Sequence, residues 1–136
     1  MLKKTLYGSH ARAAMLAGIT KIVDAIRVTL GPQGRNVVVA QSAVVDYGVH
    51  SLPLHITKDG ATVARGFDLE DYFEKVGVMI IKECTFKTVD QAGDGTSSCA
   101  ILAHAILEKA VEFVESGANP VELKKSIEIG VEKAIA

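Results

Sequence analysis

The segment richest in chemistry is Gly93-Asp94-Gly95-Thr96-Ser97-Ser98, a carboxylate flanked by glycines and followed by three hydroxyls at the expected start of a helix. Glycines let a backbone approach a ligand closely, while the first N–H groups of a helix and its dipole favour phosphate oxygens. A carboxylate such as Asp94 is a hard ligand for Mg²⁺. This is not a Walker A loop, because no Gly-Lys-Ser/Thr stands at the required spacing. Asp94, Thr96 and Ser97 are equally good helix caps, so the motif alone reads either way. Thr29-Leu30-Gly31-Pro32 and Thr57-Lys58-Asp59-Gly60 are two further polar loops, each of which also reads as a helix stop or a tight turn.

Other reactive side chains carry less. Cys84 and Cys99 lie in apolar helical stretches and form neither a disulfide framework nor a closely spaced metal pair, so reduced core thiols are expected. His10, His50, His55 and His104 have no metal-ligand spacing, and no Ser/His/Asp or Cys/His grouping emerges.

The elements that must position the three loops follow from periodicity. Met15, Ile19, Ile22, Val23, Ile26 and Leu30 form one apolar stripe, which predicts a helix from Ser9 to Leu30 stopped by Gly31-Pro32. Val37-Val38-Val39 and Leu54-His55-Ile56-Thr57 are β-prone and predict a hairpin with a long tip, in which Ala43-Val44-Val45 extends the first strand or forms a small ribbon. Lys58-Asp59-Gly60 is expected to turn. A helix capped by Asp68 and running to about Val89 follows, with Leu69, Phe73, Val76, Ile80 and Cys84 on its inner face. Residues 100–115 are apolar around much of the circumference and suit the middle of a bundle. Gly117 closes that helix, and Asn119-Pro120 opens another that continues to the chain end, with Leu123, Ile127, Gly130, Val131 and Ala134 at the same spacing.

At 136 residues and 49% hydrophobic, with only 5% aromatic, the chain can build one domain around an aliphatic core. Fifteen Lys and Arg against sixteen Asp and Glu leave no field that would favour nucleic acid or an anionic membrane, and neither partner is expected. Charged residues interrupt every apolar run before it reaches spanning length, and no signal-length stretch follows the charged start. A cytoplasmic protein is expected.

Taken together, Thr29-Leu30-Gly31-Pro32-Gln33-Gly34-Arg35-Asn36, Thr57-Lys58-Asp59-Gly60, Val63-Ala64-Arg65, Asp90-Gln91-Ala92-Gly93-Asp94-Gly95-Thr96 and Asn119-Pro120 resemble a GroEL-type (group I) chaperonin in order and spacing, from about Tyr7 to Ala136. The resemblance implies a mainly α, multihelical GroEL-like equatorial domain with a small β-hairpin. Residues 1–136 would be its amino-terminal half, without the intermediate and apical domains. It implies an ATP-hydrolysing chaperone subunit working in a ring with other chaperonin subunits, and meeting unfolded clients and a co-chaperonin through domains outside this stretch. Thr29, Leu30, Gly31, Pro32, Lys58, Asp94, Gly95, Thr96, Ser97 and Ser98 would contact ATP. Asp94 would hold Mg²⁺, Thr29, Lys58 and Ser97 would offer oxygens to K⁺, and Asp59 would be catalytic.

Two departures bear on this. Thr96-Ser97-Ser98 stands where the family usually has three threonines, which keeps the hydroxyls. The hairpin, containing Val44-Val45-Asp46-Tyr47-Gly48, is longer than usual, which leaves as the alternative a divergent assembly or regulatory partner with weak or no ATPase activity.

Overall fold

The computed structural model describes residues 4–40 and 54–136, so the expected strand extension at Ala43-Val44-Val45 and the tip at Val44 to Gly48 lie outside the described residues. The elements are α1 (Gly8–Arg27), β1 (Val37–Ala40), β2 (Leu54–Thr57), α2 (Gly60–Gly66), α3 (Tyr72–Ala92), α4 (Thr96–Glu115) and α5 (Pro120–Ile135). The mainly helical class with one small hairpin is as expected. The chain divides into two units, residues 1–104 and 105–136.

In the first unit, α1 buries Ile19, Ile22, Val23 and Ile26 completely, the stripe that its periodicity predicts. The helix ends at Arg27, three residues early. Thr29 N–H donates to Ile26 O and Leu30 N–H to Arg27 O, a tightened final turn that leads to Gly31 at φ 78°. Leu30 therefore leaves the stripe and is 47% exposed.

Against α1 packs α3, and two glycines set how closely. A Cβ at Gly18 would overlap the Glu74 carbonyl, and one at Gly77 the Met15 carbonyl. The residues of α3 that are buried are Gly77, Val78, Ile81 and Thr85. The expected face is thus one step out of phase, and Val76 is 45% exposed. Apolar periodicity misses this because two of the four inner positions are a glycine and a threonine. The Thr85 hydroxyl donates to Lys82 O at 2.9 Å, so its burial leaves no polar group unpaired. The cap is Asp71, which accepts from Phe73 N–H and Glu74 N–H, both at 2.9 Å. Asp68, the expected cap, lies before the helix and instead pairs with Lys75 of its first turn at 3.0 Å. The helix also runs past Val89 to Ala92, where Gly93, at φ 73°, donates back to Val89 O and ends it.

β1 and β2 pair antiparallel with Val37 opposite Thr57 and Ala40 opposite Leu54, as the two β-prone runs predict. The turn expected at Lys58-Asp59-Gly60 is the start of α2. Seven residues are less than two turns and too few for a readable period, yet Asp59 supplies a strong cap, and Ala61, Val63 and Ala64 are buried. α2 contacts α1, α3 and β1. It thereby ties the hairpin to the helical pair, and a Cβ at Gly66 would meet the Val39 side chain.

In α4 only Thr96, Ala100 and His104 are buried. The enclosed helix expected from its composition is therefore not met among the described residues, and Leu102 is 63% exposed.

The second unit is a helical hairpin. Gly117, at φ 96°, donates to Val114 O while Ala118 N–H donates to Phe113 O, a paired closure that suits a left-handed glycine. Asn119 Oδ1 then accepts from Val121 N–H at 2.9 Å, and Pro120 occupies the first position of α5, as expected. Leu107, Val111 and Val114 are half-buried on one side of this turn and Leu123 and Ile127 on the other. Among the described residues, no helix is long and apolar enough to cross a membrane.

Candidate functional site

The end of α1, the β2–α2 junction and the α3–α4 junction meet around one cavity of about 370 Å³. It is lined by Thr29, Leu30 and Gly31, by Lys58, Asp59 and Gly60, and by Asp94 to Ser98. Every residue that the resemblance assigns to a site lines it except Pro32, and Gly93 of the glycine-flanked loop is not among the lining residues either. Gly60 is a lining residue that had been given no role. A Cβ there would come 2.5 Å from Ser97 Oγ and 3.3 Å from Ile26 Cγ2, so a larger residue would displace the Ser97 hydroxyl from the cavity wall. The signal lay in Asp59-Gly60, a cap followed by the smallest residue.

Among the described residues, no side chain caps the start of α4 in the way that Asp59, Asp71 and Asn119 cap α2, α3 and α5. Its flanking residue is Gly95, at φ 91°, which has no side-chain oxygen to offer the first N–H groups of the helix. Those donors and the positive end of the helix dipole are thus available to an anion. Asp94 is held beside them, its Oδ1 accepting from Gly95 N–H at 2.6 Å. The capping reading of Asp94, open in the sequence, is met only by this one contact to its neighbour.

Hydroxyl polarity can be followed inward. Thr29 Oγ1–H donates to Ile26 O at 2.7 Å, and a carbonyl can only accept. The proton in the 3.1 Å contact between Thr29 Oγ1 and Ser97 Oγ therefore belongs to Ser97. Ser97 keeps its lone pairs for the cavity and acts there as an acceptor, which suits a cation better than a phosphate oxygen.

Asp59 is both a cavity wall and the cap of α2. Its Oδ1 accepts from Ala61 N–H at 3.2 Å, and its Oδ2 from Thr62 N–H at 2.9 Å and Thr62 Oγ1 at 2.6 Å. The Thr62 hydroxyl is the chief reason that the Asp59 carboxyl lies below its ordinary value; the two backbone N–H groups and Arg65 add to this, and burial opposes them. A carboxylate held ionised in this way is a weak base but a good acceptor for orienting a water.

Its contribution to stability is in place above the ordinary carboxylate value of about 3.8 and is lost as the pH falls through the depressed folded value. Asp59→Ala, which loses the cap, is expected to cost about 1 kcal/mol at neutral pH. Asp59→Asn keeps an acceptor and costs less. Urea melts at pH 7 and near pH 3 check this, since the gap between wild type and Asp59→Asn closes on the acid side.

The remaining reactive groups stay apart from the cavity lining. Burial pushes the Cys84 thiol up, which disfavours a nucleophilic thiolate, and Cys99 Sγ lies 3.7 Å from Cys84 O. His104 Nε2 meets Thr20 Oγ1 at 3.1 Å, while the Thr20 hydroxyl donates to Leu16 O, so the histidine is the donor within the first unit. Among the described residues, no three His, Cys, Asp or Glu side chains converge. A divalent ion at the cavity would draw on Asp94, water and ligand oxygens, the sparse all-oxygen set that Mg²⁺ accepts.

A family model for the TCP-1/cpn60 chaperonin family matches residues 22–136. In structure, the chain is similar to the chaperonin gp146 from the bacteriophage EL 2 (Pseudomonas aeruginosa), solved in the presence of ATP-BeFx. The TM-score is 0.66 at 27% sequence identity, over 83% of this chain and 18% of that one. The chain thus spans less than a fifth of the length of that relative. The five helices and two-stranded sheet match a chaperonin equatorial domain.

Proposed function

Because the chain belongs to the TCP-1/cpn60 chaperonin family, we propose that residues 1–136 are part of an equatorial domain that binds ATP with Mg²⁺ in a chaperonin subunit. The observation that carries this reading is a polar cavity of about 370 Å³ that gathers loops from three separate stretches of sequence. Each stretch alone has an ordinary reading as a turn or cap. Their convergence on one polar hollow has none.

In this reading the N–H groups at the start of α4 and the Gly93-Asp94-Gly95 turn receive phosphate oxygens, and the backbone of Thr29, Leu30 and Gly31 borders the rest of the nucleotide. Thr96 and Ser98 flank the phosphates. Mg²⁺, held by Asp94, would neutralise the phosphate charge and polarise the phosphorus towards attack. Thr29, Ser97 and the main-chain carbonyl of Lys58, the one oxygen a lysine owns, are the donors for K⁺, which the acceptor polarity of Ser97 favours. Asp59 orients the attacking water. Hydrolysis then biases rigid-body movement in a ring of like subunits, with unfolded clients and a co-chaperonin met through parts of the subunit beyond these 136 residues, in the cytoplasm.

The test is titration of the full-length protein with a fluorescent ATP analogue in the presence of Mg²⁺ or EDTA. Saturable binding that unlabelled ATP displaces and that EDTA weakens at least about tenfold is expected. Binding that EDTA leaves unchanged, or no binding at all, would defeat the reading.

A further inference from the structure

The two oxygens of Asp59 are not equivalent. Oδ2 accepts two hydrogen bonds from Thr62, one from its N–H and one, at 2.6 Å, from its hydroxyl. Oδ1 accepts only the longer bond from Ala61 N–H, at 3.2 Å. A carboxylate offers about two lone-pair sites on each oxygen, so Oδ2 is fully committed and Oδ1 keeps one free. Asp59 lines the cavity, whereas Thr62, bonded to it, is not among the lining residues.

We propose that Thr62 is a positioning residue for the hydrolytic reaction: its hydroxyl pins Asp59 Oδ2 and so leaves Oδ1 as the oxygen that orients the attacking water. This rests on the ATP-hydrolysing reading of the cavity. The step balances simply. The water oxygen bonds to the γ-phosphorus as the bond from that phosphorus to the bridging oxygen breaks. ADP leaves, one water proton stays on the new phosphate, and the other passes to solvent. Asp59 Oδ1 accepts a hydrogen bond from the water throughout and need not take its proton.

Three features make Thr62 suited to this. A short O–H···O⁻ bond is charge-assisted and about twice as strong as a neutral one. Threonine has two common χ1 wells in a helix, and the bond to Oδ2 selects one of them, a selection that a serine hydroxyl can make equally. The Thr62 N–H already anchors the same oxygen, so the hydroxyl adds a second, independent direction and stops the carboxylate from rotating.

A plainer role exists: Thr62 at the third position after an Asp cap only strengthens the start of α2. The two roles part under substitution. Thr62→Val removes the hydroxyl, keeps the N–H and nearly keeps the shape, while Thr62→Ser keeps the hydroxyl and drops the methyl. In the full-length protein, Thr62→Val is expected to lower single-turnover ATP hydrolysis about tenfold, with nucleotide affinity within about twofold of wild type, because only orientation of the water is lost. Thr62→Ser should restore the rate, and Thr62→Val should add nothing in an Asp59→Ala background.

An unchanged rate in Thr62→Val, a loss that serine does not rescue, or an additive loss on Asp59→Ala would each overturn the proposal and leave Thr62 as a helix-cap residue. If valine disturbs α2, Thr62→Ala removes the same hydroxyl without added bulk and is read in the same way. Wild-type protein that binds no Mg·ATP would sink the cavity reading itself. Full turnover in both wild type and Thr62→Val would sink only the role of Thr62.

Discussion

Gly77→Ala is expected to destabilise the protein by about 3 kcal/mol, whereas Gly130→Ala, the same chemical change in another helix, is expected to stabilise it by about 0.5–1 kcal/mol. Both residues lie inside helices, where alanine is favoured over glycine by up to about 1 kcal/mol per site. At Gly130 nothing lies within 4 Å of the new methyl group, so the propensity gain stands alone. At Gly77 the methyl would overlap the Met15 carbonyl, and the obstacle is backbone of α1 rather than a side chain that could turn aside. The helices would have to part, loosening contacts to Ile19 and Ile22, both fully buried. That loss exceeds the propensity gain, which fixes the opposite signs. Urea denaturation of each variant, followed by far-ultraviolet circular dichroism, checks the pair. A stabilised Gly77→Ala would mean that α1 and α3 do not approach as closely as described.

The second large effect is on the ligand rather than the fold. Asp94→Ala is expected to reduce Mg²⁺-dependent ATP turnover by on the order of a hundredfold or more, since a bound ion supplies several kcal/mol of charge stabilisation and each 1.36 kcal/mol is tenfold. Its effect on stability should stay within about 0.5 kcal/mol, because the carboxylate is exposed and bonds only to the adjacent Gly95 N–H. Turnover measured across a Mg²⁺ titration, beside a thermal melt, separates the two quantities. Wild-type Mg²⁺ dependence in the variant would move the ion away from Asp94, with Asp59 as the next carboxylate in the cavity.

Much of this architecture can be read locally, where one or two residues set the backbone. Asn119-Pro120 marks the start of α5, Gly117 the end of α4, and two β-prone runs the hairpin, because caps, left-handed glycines and β-prone composition are each legible within a few residues. What escapes is decided by packing between elements. The inner face of α3 runs through Gly77 and Thr85, which no hydrophobic count selects. α2 has too few residues for a period and is held by its cap and by burial of Ala61, Val63 and Ala64 against neighbours distant in sequence.

The candidate site divides in the same way. Gly93 to Ser98 signals both a phosphate loop and a helix cap, and its local sequence does not show that Thr29 and Lys58 approach it from elsewhere in the chain. Pro32 belongs to the site through the resemblance of its whole loop, and only Thr29, Leu30 and Gly31 of that loop line the cavity. Thr62 left a local trace, a hydroxyl three residues after an aspartate, but that trace has no chemical meaning until the aspartate is seen to line a cavity.

Ile26 gives the arrangement a further consequence. Its side chain is fully buried in α1, its carbonyl receives both the Thr29 N–H and the Thr29 hydroxyl, and its Cγ2 would lie 3.3 Å from a methyl placed on Gly60. One residue therefore belongs to the interior and at the same time supports Thr29 and Gly60, two residues that line the cavity, with no intervening shell to absorb an error. Inherited variation at such a position is screened twice, by the packing of the interior and by the shape of the cavity wall. Descendants of this sequence should drift there more slowly than at Ile19 or Ile22, which are buried as deeply but stand farther along the helix from the mouth of the cavity.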